Sequence, residues 1–224
     1  MRDELEIVLF TLKVAALSTL IITPFALGLA VLTRLMNRRL RTIVESISTL
    51  PLILPPTAVG FVLLDLFSRA SPLGQLLDRA GIAVLFTPAA AVIAAGVMAF
   101  PLMFRAFRTA IETADFRYFD LARTLGSTPS SAFLRVILPL SWQGLLSGVL
   151  LAFCRALGEF GATILIAGSI PGRTQTLALA IYDHVQAGRT SDARILLVFV
   201  VVIAFTAIAT SEVLMRRQQE RLAR

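Results

Sequence analysis

Four residue types are nearly absent from the 224-residue chain, which has one cysteine, one histidine, one lysine and one tryptophan. Because Cys154 is alone, an internal disulfide and a cysteine-based metal site are excluded. His184 has no positioned serine or cysteine, so a catalytic triad is not indicated. No Gly-Lys pair occurs, and a P-loop is therefore absent. Together with the lack of an HExxH motif, these absences argue against a membrane-embedded enzyme.

Apolar residues, in contrast, are abundant. The chain is 57% hydrophobic with a mean hydropathy of +0.82, whereas soluble domains are about 45–50% apolar. Uncharged intervals long enough to cross roughly 30 Å of hydrocarbon occur at 14–32, 46–64, 80–104, 136–154 and, in a shorter form, 195–211. These runs lack the alternation of barrel strands, and lipid offers no partner for unpaired backbone groups. The sequence therefore predicts an all-α integral membrane protein.

The charged residues predict the orientation of these spans. With five spans and the N-terminus outside, the inner segments hold 13 arginines and 6 acids, and the outer segments hold 8 basic residues and 8 acids. This is the positive-inside pattern, which places the C-terminus in the cytoplasm. The net charge of +7 is thus explained by topology, so we expect no nucleic acid partner. The acidic N-terminus lacks the basic region of a cleaved signal peptide, and residues 14–32 are predicted to be a retained span.

The segment 118–139 lies between two apolar runs and predicts a helix, a glycine corner and a second helix. Four apolar residues recur at i, i+3, i+4 and i+7, namely Tyr118, Leu121, Ala122 and Leu125. Gly126 predicts a left-handed helix stop, and Thr128 followed by Pro129 predicts the N-cap and first residue of the next helix. The stripe has no apolar partner nearby, so we expect it to dock into another protein. The alternative is an amphipathic loop that rests on lipid headgroups.

Closely spaced prolines interrupt the second apolar run, LPLILPPTAVGF. A proline inside a helix removes a backbone donor and clashes with the preceding turn, so this run cannot be an undisturbed helix. Broken helix within a membrane is tolerated where it is buried in protein or lines a water-filled cavity. Pro55 and Pro56 are therefore candidates for a pore wall, and a kink that only shapes packing is the alternative.

Two ionisable residues, Arg155 and Glu159, lie four positions apart in FCRALGEFGAT. Arg155 is roughly 25 Å along the fourth span, a depth at which charged groups face a cavity or one another. The pair is interpreted either as an outer gate or anion contact, or as an ion pair that only holds helices together. Glycines at 158 and 161 break the following stretch, where a half-helix could re-enter the membrane. We count five spans, with six as the alternative.

The segment 118–139 resembles the "EAA" signature of ABC-importer permeases, in which an acidic residue, an alanine two positions on and a glycine precede an Ile-Leu-Pro ending. Asp120 stands where that signature usually has Glu, Leu121 where it has Ala, and Val136 where it has Ile. Further stretches resemble the molybdate ABC-transporter permease family in its own order over roughly residues 10–215: LPLILPPTAVGF, FPLMFRAFR, ARTLG with ILP, FCRALGEFGAT and SIPGRTQTLALAIY. Cys154 departs from the family, in which a small residue such as Ala is usual.

This resemblance implies a type I ABC-importer permease, a single transmembrane domain over 1–224 with a cytoplasmic coupling helix at about 115–127. Its coupling residues would be Tyr118, Asp120, Leu121, Ala122, Leu125 and Gly126, and its path or gate residues Pro55, Pro56, Arg155, Gly158, Glu159, Gly161 and Thr163. The implied partners are a second copy of the chain, ATPase subunits that carry ATP and Mg, a periplasmic or lipid-anchored oxyanion-binding protein and membrane lipid. No cofactor or metal is expected on this chain itself. The expected location is the cytoplasmic membrane of a bacterium or archaeon.

Two functional alternatives remain from the sequence. A sulfate or thiosulfate permease of the same architecture would carry a dianion of similar shape and charge. An ion channel without an energy source would have no need for a docking helix. Competition between sulfate and molybdate distinguishes the first alternative, and a co-purifying ATPase distinguishes the second.

Overall fold

The computed structural model describes the backbone of residues 2–222 and the side chains of residues 4–207 and Ala209. The described part is helical and contains no β-strand, which confirms the predicted fold class. The helices in chain order are α1 (Arg2–Leu35), α2 (Arg38–Ile53), α3 (Pro56–Phe67), α4 (Pro72–Arg79), α5 (Pro88–Thr113), α6 (Arg117–Thr124), α7 (Pro129–Ala132), the π-helical segment Phe133–Ile137, α8 (Leu138–Leu157), α9 (Gly161–Ile166), α10 (Leu177–Gln186) and α11 (Thr190–Leu222).

Four stretches within the described residues are long and apolar enough to cross a membrane, namely Glu4–Leu35, Pro88–Thr113, Pro129–Leu157 and Thr190–Ala207. Helices α2 and α3 meet the same test only as a pair, and they are bent by 110° at their junction. Counting that pair as one span gives the predicted five. Helix α9 has six residues, too few for a sixth span.

The predicted break in the interval 46–64 is confirmed, because Pro55 and Pro56 stand at the junction of α2 and α3 and Pro56 opens α3. Two predicted span starts were wrong, and prolines explain both. The interval 80–104 becomes a helix only at Pro88, which follows the N-cap residue Thr87. The fourth span begins at Pro129 instead of 136. Its π-helical segment precedes Pro139, which has no N–H to continue the regular ladder.

Helix α5 lies at the centre of the bundle and packs against both α1 and α8. Its buried residues between Ala90 and Gly96 are small, and small residues allow helix backbones to approach closely. On the facing side, a methyl group at Gly148 of α8 would lie 2.8 Å from the Phe107 ring. Phe104 and Phe107 are fully buried there. The central core is therefore too tightly packed to admit larger residues.

Helix α2 is held to α5 by ion pairs, since none of its residues is buried. Arg41 contacts Glu45 at 2.7 Å and also pairs with Glu112 of α5. Arg108 of α5 pairs in turn with Glu45 and lies 3.7 Å from Glu112. The four side chains form an alternating network of partly buried charges, which connects the amphipathic helix to the core bundle.

Candidate functional site

Helix α6 presents the predicted apolar stripe to solvent. The exposed fractions are 55% for Tyr118, 57% for Leu121 and 79% for Leu125, and Ala122 is half-buried. Asp120 is exposed in the first turn, where a carboxylate interacts favourably with the helix dipole. Within the described residues the stripe of Tyr118, Leu121 and Leu125 has no apolar partner, so its geometry fits a surface that receives another protein. Asp120 lies outside this stripe, on the side of α6 that also carries Phe119.

The opposite face of α6 attaches the helix to the bundle through residues outside the predicted stripe. Phe116 and Phe119 are partly buried against the core, and their ring centroids are 5.8 Å apart. The guanidinium carbon of Arg34, at the end of α1, lies 3.2 Å from the centroid of the Phe116 ring. The two faces of α6 therefore have separate roles, anchoring on one side and exposure on the other.

The end of α6 has the geometry that the glycine corner predicts. Gly126 has φ of +90°, a conformation that L side chains rarely adopt. Its N–H donates to the Arg123 carbonyl at 3.1 Å, and the Ser127 N–H donates to the Ala122 carbonyl at 3.0 Å. This pair of hydrogen bonds is a Schellman motif, which closes the helix at a defined angle. Thr128 then caps α7 by accepting a hydrogen bond from the Ser131 N–H at 3.2 Å.

Asp115 orders the entry to α6. Its carboxylate accepts hydrogen bonds from the Arg117 backbone N–H at 3.0 Å and from the Arg117 side chain at 3.2 Å. The backbone hydrogen bond, followed by the charged side chain, holds the pKa of the Asp115 carboxyl below its usual range. Asp115 is thus ionised at neutral pH, and both ends of α6 are fixed by local hydrogen bonds.

The structure brings the proline break of α3 against α9. A methyl group at Gly161, the first residue of α9, would lie 2.7 Å from Cβ of Pro56. One turn further along, a methyl group at Gly60 would lie 2.8 Å from Cα of Ala162. Only glycine fits at such backbone approaches. Pro56 and Gly161, predicted separately as path residues, therefore belong to one contact, and Pro55 precedes it as the N-cap residue of α3.

Glu159 is buried and joins the end of α8 to the start of α9. Its carboxylate accepts from Arg155 at 2.7 Å and from the Ala162 N–H at 2.8 Å. Only 2% of the Glu159 side chain is exposed, against 26% for Arg155. Gly158 ends α8, and Thr163 is buried with its hydroxyl unpartnered by any described residue. The structure thus confirms that Arg155 and Glu159 pair, and Glu159 links the end of α8 to the start of α9.

A polar cavity was missed from the sequence. Residues of α1 and of the segment 171–192 line a space of about 550 Å³, and they include Glu6, Arg173, His184 and Arg189. Near it Asp183 accepts hydrogen bonds from Ser169 and, at 2.8 Å, from Gln175. His184 lies in α10, a helix that buries one face through Leu177, Leu179 and Ala180. Among the described side chains no three of His, Cys, Asp or Glu are placed to hold a metal ion.

Comparison with known proteins gives a consistent result. Residues 22–224 match the model of a family described as "Binding-protein-dependent transport system inner membrane component". The chain is 40% identical to the molybdenum transport system permease protein ModB of Escherichia coli K12, covering 99% of this chain and 97% of that protein. It is 35% identical to ModB of Haemophilus influenzae, covering 98% and 96%.

Solved structures share the fold. A bacterial alginate ABC transporter in complex with an alginate pentasaccharide-bound periplasmic protein aligns with a TM-score of 0.76, covering 95% of this chain and 78% of that chain at 17% identity. At such low identity the likeness concerns the fold alone. The helical architecture, the family match over most of the chain and the two full-length relatives agree with one another. This chain belongs to the family of binding-protein-dependent transport system inner membrane components.

Proposed function

We propose that this chain is the permease subunit of an ABC importer that moves molybdate or tungstate across the cytoplasmic membrane. The substrate assignment rests on the 35–40% identity, over nearly the whole chain, to proteins named as molybdenum transport permeases. The exposed stripe of α6 supports the coupling to an ATPase, because three large apolar side chains in water require a partner surface.

The complex contains two copies of this chain, two ATPase subunits at the cytoplasmic face and an external oxyanion-binding protein. ATP and Mg are bound by the ATPase subunits, since this chain has no P-loop. The N-terminus is outside and the C-terminus cytoplasmic, in accord with the excess of arginine on the inner segments. In this orientation α6 faces the compartment in which ATP is available.

Closure of the ATPase dimer moves α6, and the Schellman corner at Gly126 transmits the movement because it fixes the angle between α6 and the fourth span. That span ends at Leu157, and the bonds of Glu159 to Arg155 and to the Ala162 N–H tie its end to α9, which packs against α3. A shift of the span therefore changes the α3 to α9 contact, which acts as the outer gate. The path and gate residues are Pro55, Pro56, Arg155, Gly158, Glu159, Gly161 and Thr163.

The path holds its anion weakly. Arg155, the basic group beside the gate, is neutralised by Glu159 at 2.7 Å and has little attraction left for a dianion. A weakly binding path suits a permease that must release what a separate receptor has captured. Selection between oxyanions then belongs mainly to the binding protein.

ATP-dependent uptake of radiolabelled molybdate tests this proposal. Vesicles would contain this chain with its ATPase and binding protein, and excess sulfate or tungstate would compete. We expect tungstate to block uptake and sulfate to leave it unchanged. Suppression by sulfate would instead assign the chain to sulfate or thiosulfate transport, and uptake without ATP would refute the importer.

A further inference from the structure

The anchored face of α6 borders an apolar groove of about 660 Å³, a volume within the range of small-molecule sites. We name it the α6 groove. Its walls come from the end of α1, from α6 and from the π-helical segment, and they include Val31, Leu35, Phe119, Phe133 and Leu134. Leu35 is 78% exposed and Leu134 58% exposed. The groove is therefore open, and its rim consists of large apolar side chains.

The polar groups of the α6 groove are few and oppositely charged. Arg34 lines the wall and stacks on Phe116, which leaves the guanidinium N–H groups at the ring edge available to an acceptor. Asp120 also lines the wall, so an anion is repelled there and attracted to the α1 side. The sequence adds Arg38 and Arg39 after α1, and Arg135 beside Leu134. All four arginines are exposed, and none pairs with a carboxylate among the described residues.

The groove lies where the apolar span of α1 gives way to these arginines, which is the headgroup level of a membrane. An apolar slot with Arg34 on its α1 side matches an acyl chain attached to a negatively charged headgroup. A protein partner matches the groove less well, because the surface that α6 exposes for a protein is the stripe of Tyr118, Leu121 and Leu125. That stripe lies on the opposite face of α6. Both surfaces can thus be occupied at the same time.

We propose that the α6 groove binds an anionic phospholipid, with an acyl chain between α1 and the π-helical segment and the phosphate beside Arg34. The chain fills the space behind Phe119 and supports α6 from the membrane side. The lipid thereby sets the position from which α6 meets its partner. This inference does not depend on which substrate the protein transports.

Fluorescence quenching in vesicles of the full-length chain tests the proposal. Trp142 is the single tryptophan, so Trp142→Phe provides a silent background to which Leu35→Trp adds one reporter in the groove. Phe205→Trp, at a position of α11 that is 71% exposed, is the matched reporter outside it. The probes are phosphatidylglycerol and phosphatidylcholine with the same brominated acyl chains, each mixed with unbrominated phosphatidylcholine.

At Leu35→Trp we expect brominated phosphatidylglycerol to quench at about fivefold lower mole fraction than brominated phosphatidylcholine, the preference that one arginine near an anionic headgroup supports. At Phe205→Trp the two lipids should quench equally. Adding Arg34→Gln should abolish the preference, and Arg34→Lys should retain it. Equal quenching at Leu35→Trp, absence of quenching there, or a preference that survives Arg34→Gln would overturn the proposal.

Discussion

The contact between α3 and α9 makes a quantitative prediction for Gly60→Val. A Cβ atom at this position would lie 2.8 Å from Cα of Ala162 and 3.0 Å from its carbonyl oxygen. Ordinary carbon contacts begin at about 3.5 Å, so the two helices must separate by roughly 0.7 Å. Overpacking of this kind costs about 1–3 kcal/mol. For a protein of this size that corresponds to a fall in Tm of about 2–12 °C.

Thermal unfolding of the purified chain, followed by intrinsic fluorescence, measures this effect. Gly28→Val is the matched control, because nothing lies within 4 Å of a methyl group at Gly28 of α1. Valine and glycine differ by only about 0.5 kcal/mol in helix propensity, so the control should melt close to wild type. If Gly60→Val had the same Tm as the Gly28→Val control, α3 and α9 would not approach as closely as described. The proposed outer gate would then lose its structural basis.

Substitutions at three further positions address the corner and the buried ion pair. Gly126→Ala places a side chain at φ of +90° and should cost about 1–2 kcal/mol, measured as a lower Tm together with weaker ATPase retention. Thr128→Ala removes the N-cap of α7 and should lower stability by about 1 kcal/mol, whereas Thr128→Ser should retain it. Glu159→Ala should destabilise by about 3 kcal/mol or more, and Glu159→Gln by less, because its amide oxygen can still accept from Ala162. Equal melting of the two Glu159 variants would contradict the capping role.

Local features of this chain could be predicted because a few adjacent residues determine them. The glycine at 126 and the Thr128-Pro129 pair predict a helix end and a helix start without tertiary information, and both are present. Arg155 lies in the last turn of α8 and Glu159 lies two residues beyond its end, so a spacing of four residues was enough to predict their pairing. The exposed stripe of α6 was predictable for the same reason, from its spacing alone.

Span boundaries were predicted poorly because absence of charge does not identify the first helical residue. Residues 80–87 contain no charged side chain that would mark a break. Phe86 nevertheless has φ of +60°, and its N–H donates to the Ile166 carbonyl at 2.8 Å. The Thr87-Pro88 pair was an available signal for the true start, equivalent to Thr128-Pro129. The long uncharged interval 80–104, within which this pair lies, obscured the signal.

Features that join distant segments could not be predicted from a single sequence. The ion pairs that join Arg41 and Glu45 of α2 to α5 link positions far apart in the sequence. Likewise, the α6 groove needs α1 and the π-helical segment side by side, and the contact of Gly161 with Pro56 joins residues more than a hundred positions apart. These contacts depend on the packing of the whole bundle.

The measurement that tests the account most directly is retention of the ATPase subunit when the tagged chain is purified with Leu121→Asp. Leu76→Asp in α4 is the matched control, since Leu76 is 64% exposed against 57% for Leu121. Both variants should fold, because each changes an exposed side chain. Burial of one leucine contributes about 1.5–3 kcal/mol, so Leu121→Asp should reduce retention about tenfold or more and Leu76→Asp should not. Equal retention by the two variants would contradict α6 as the coupling surface.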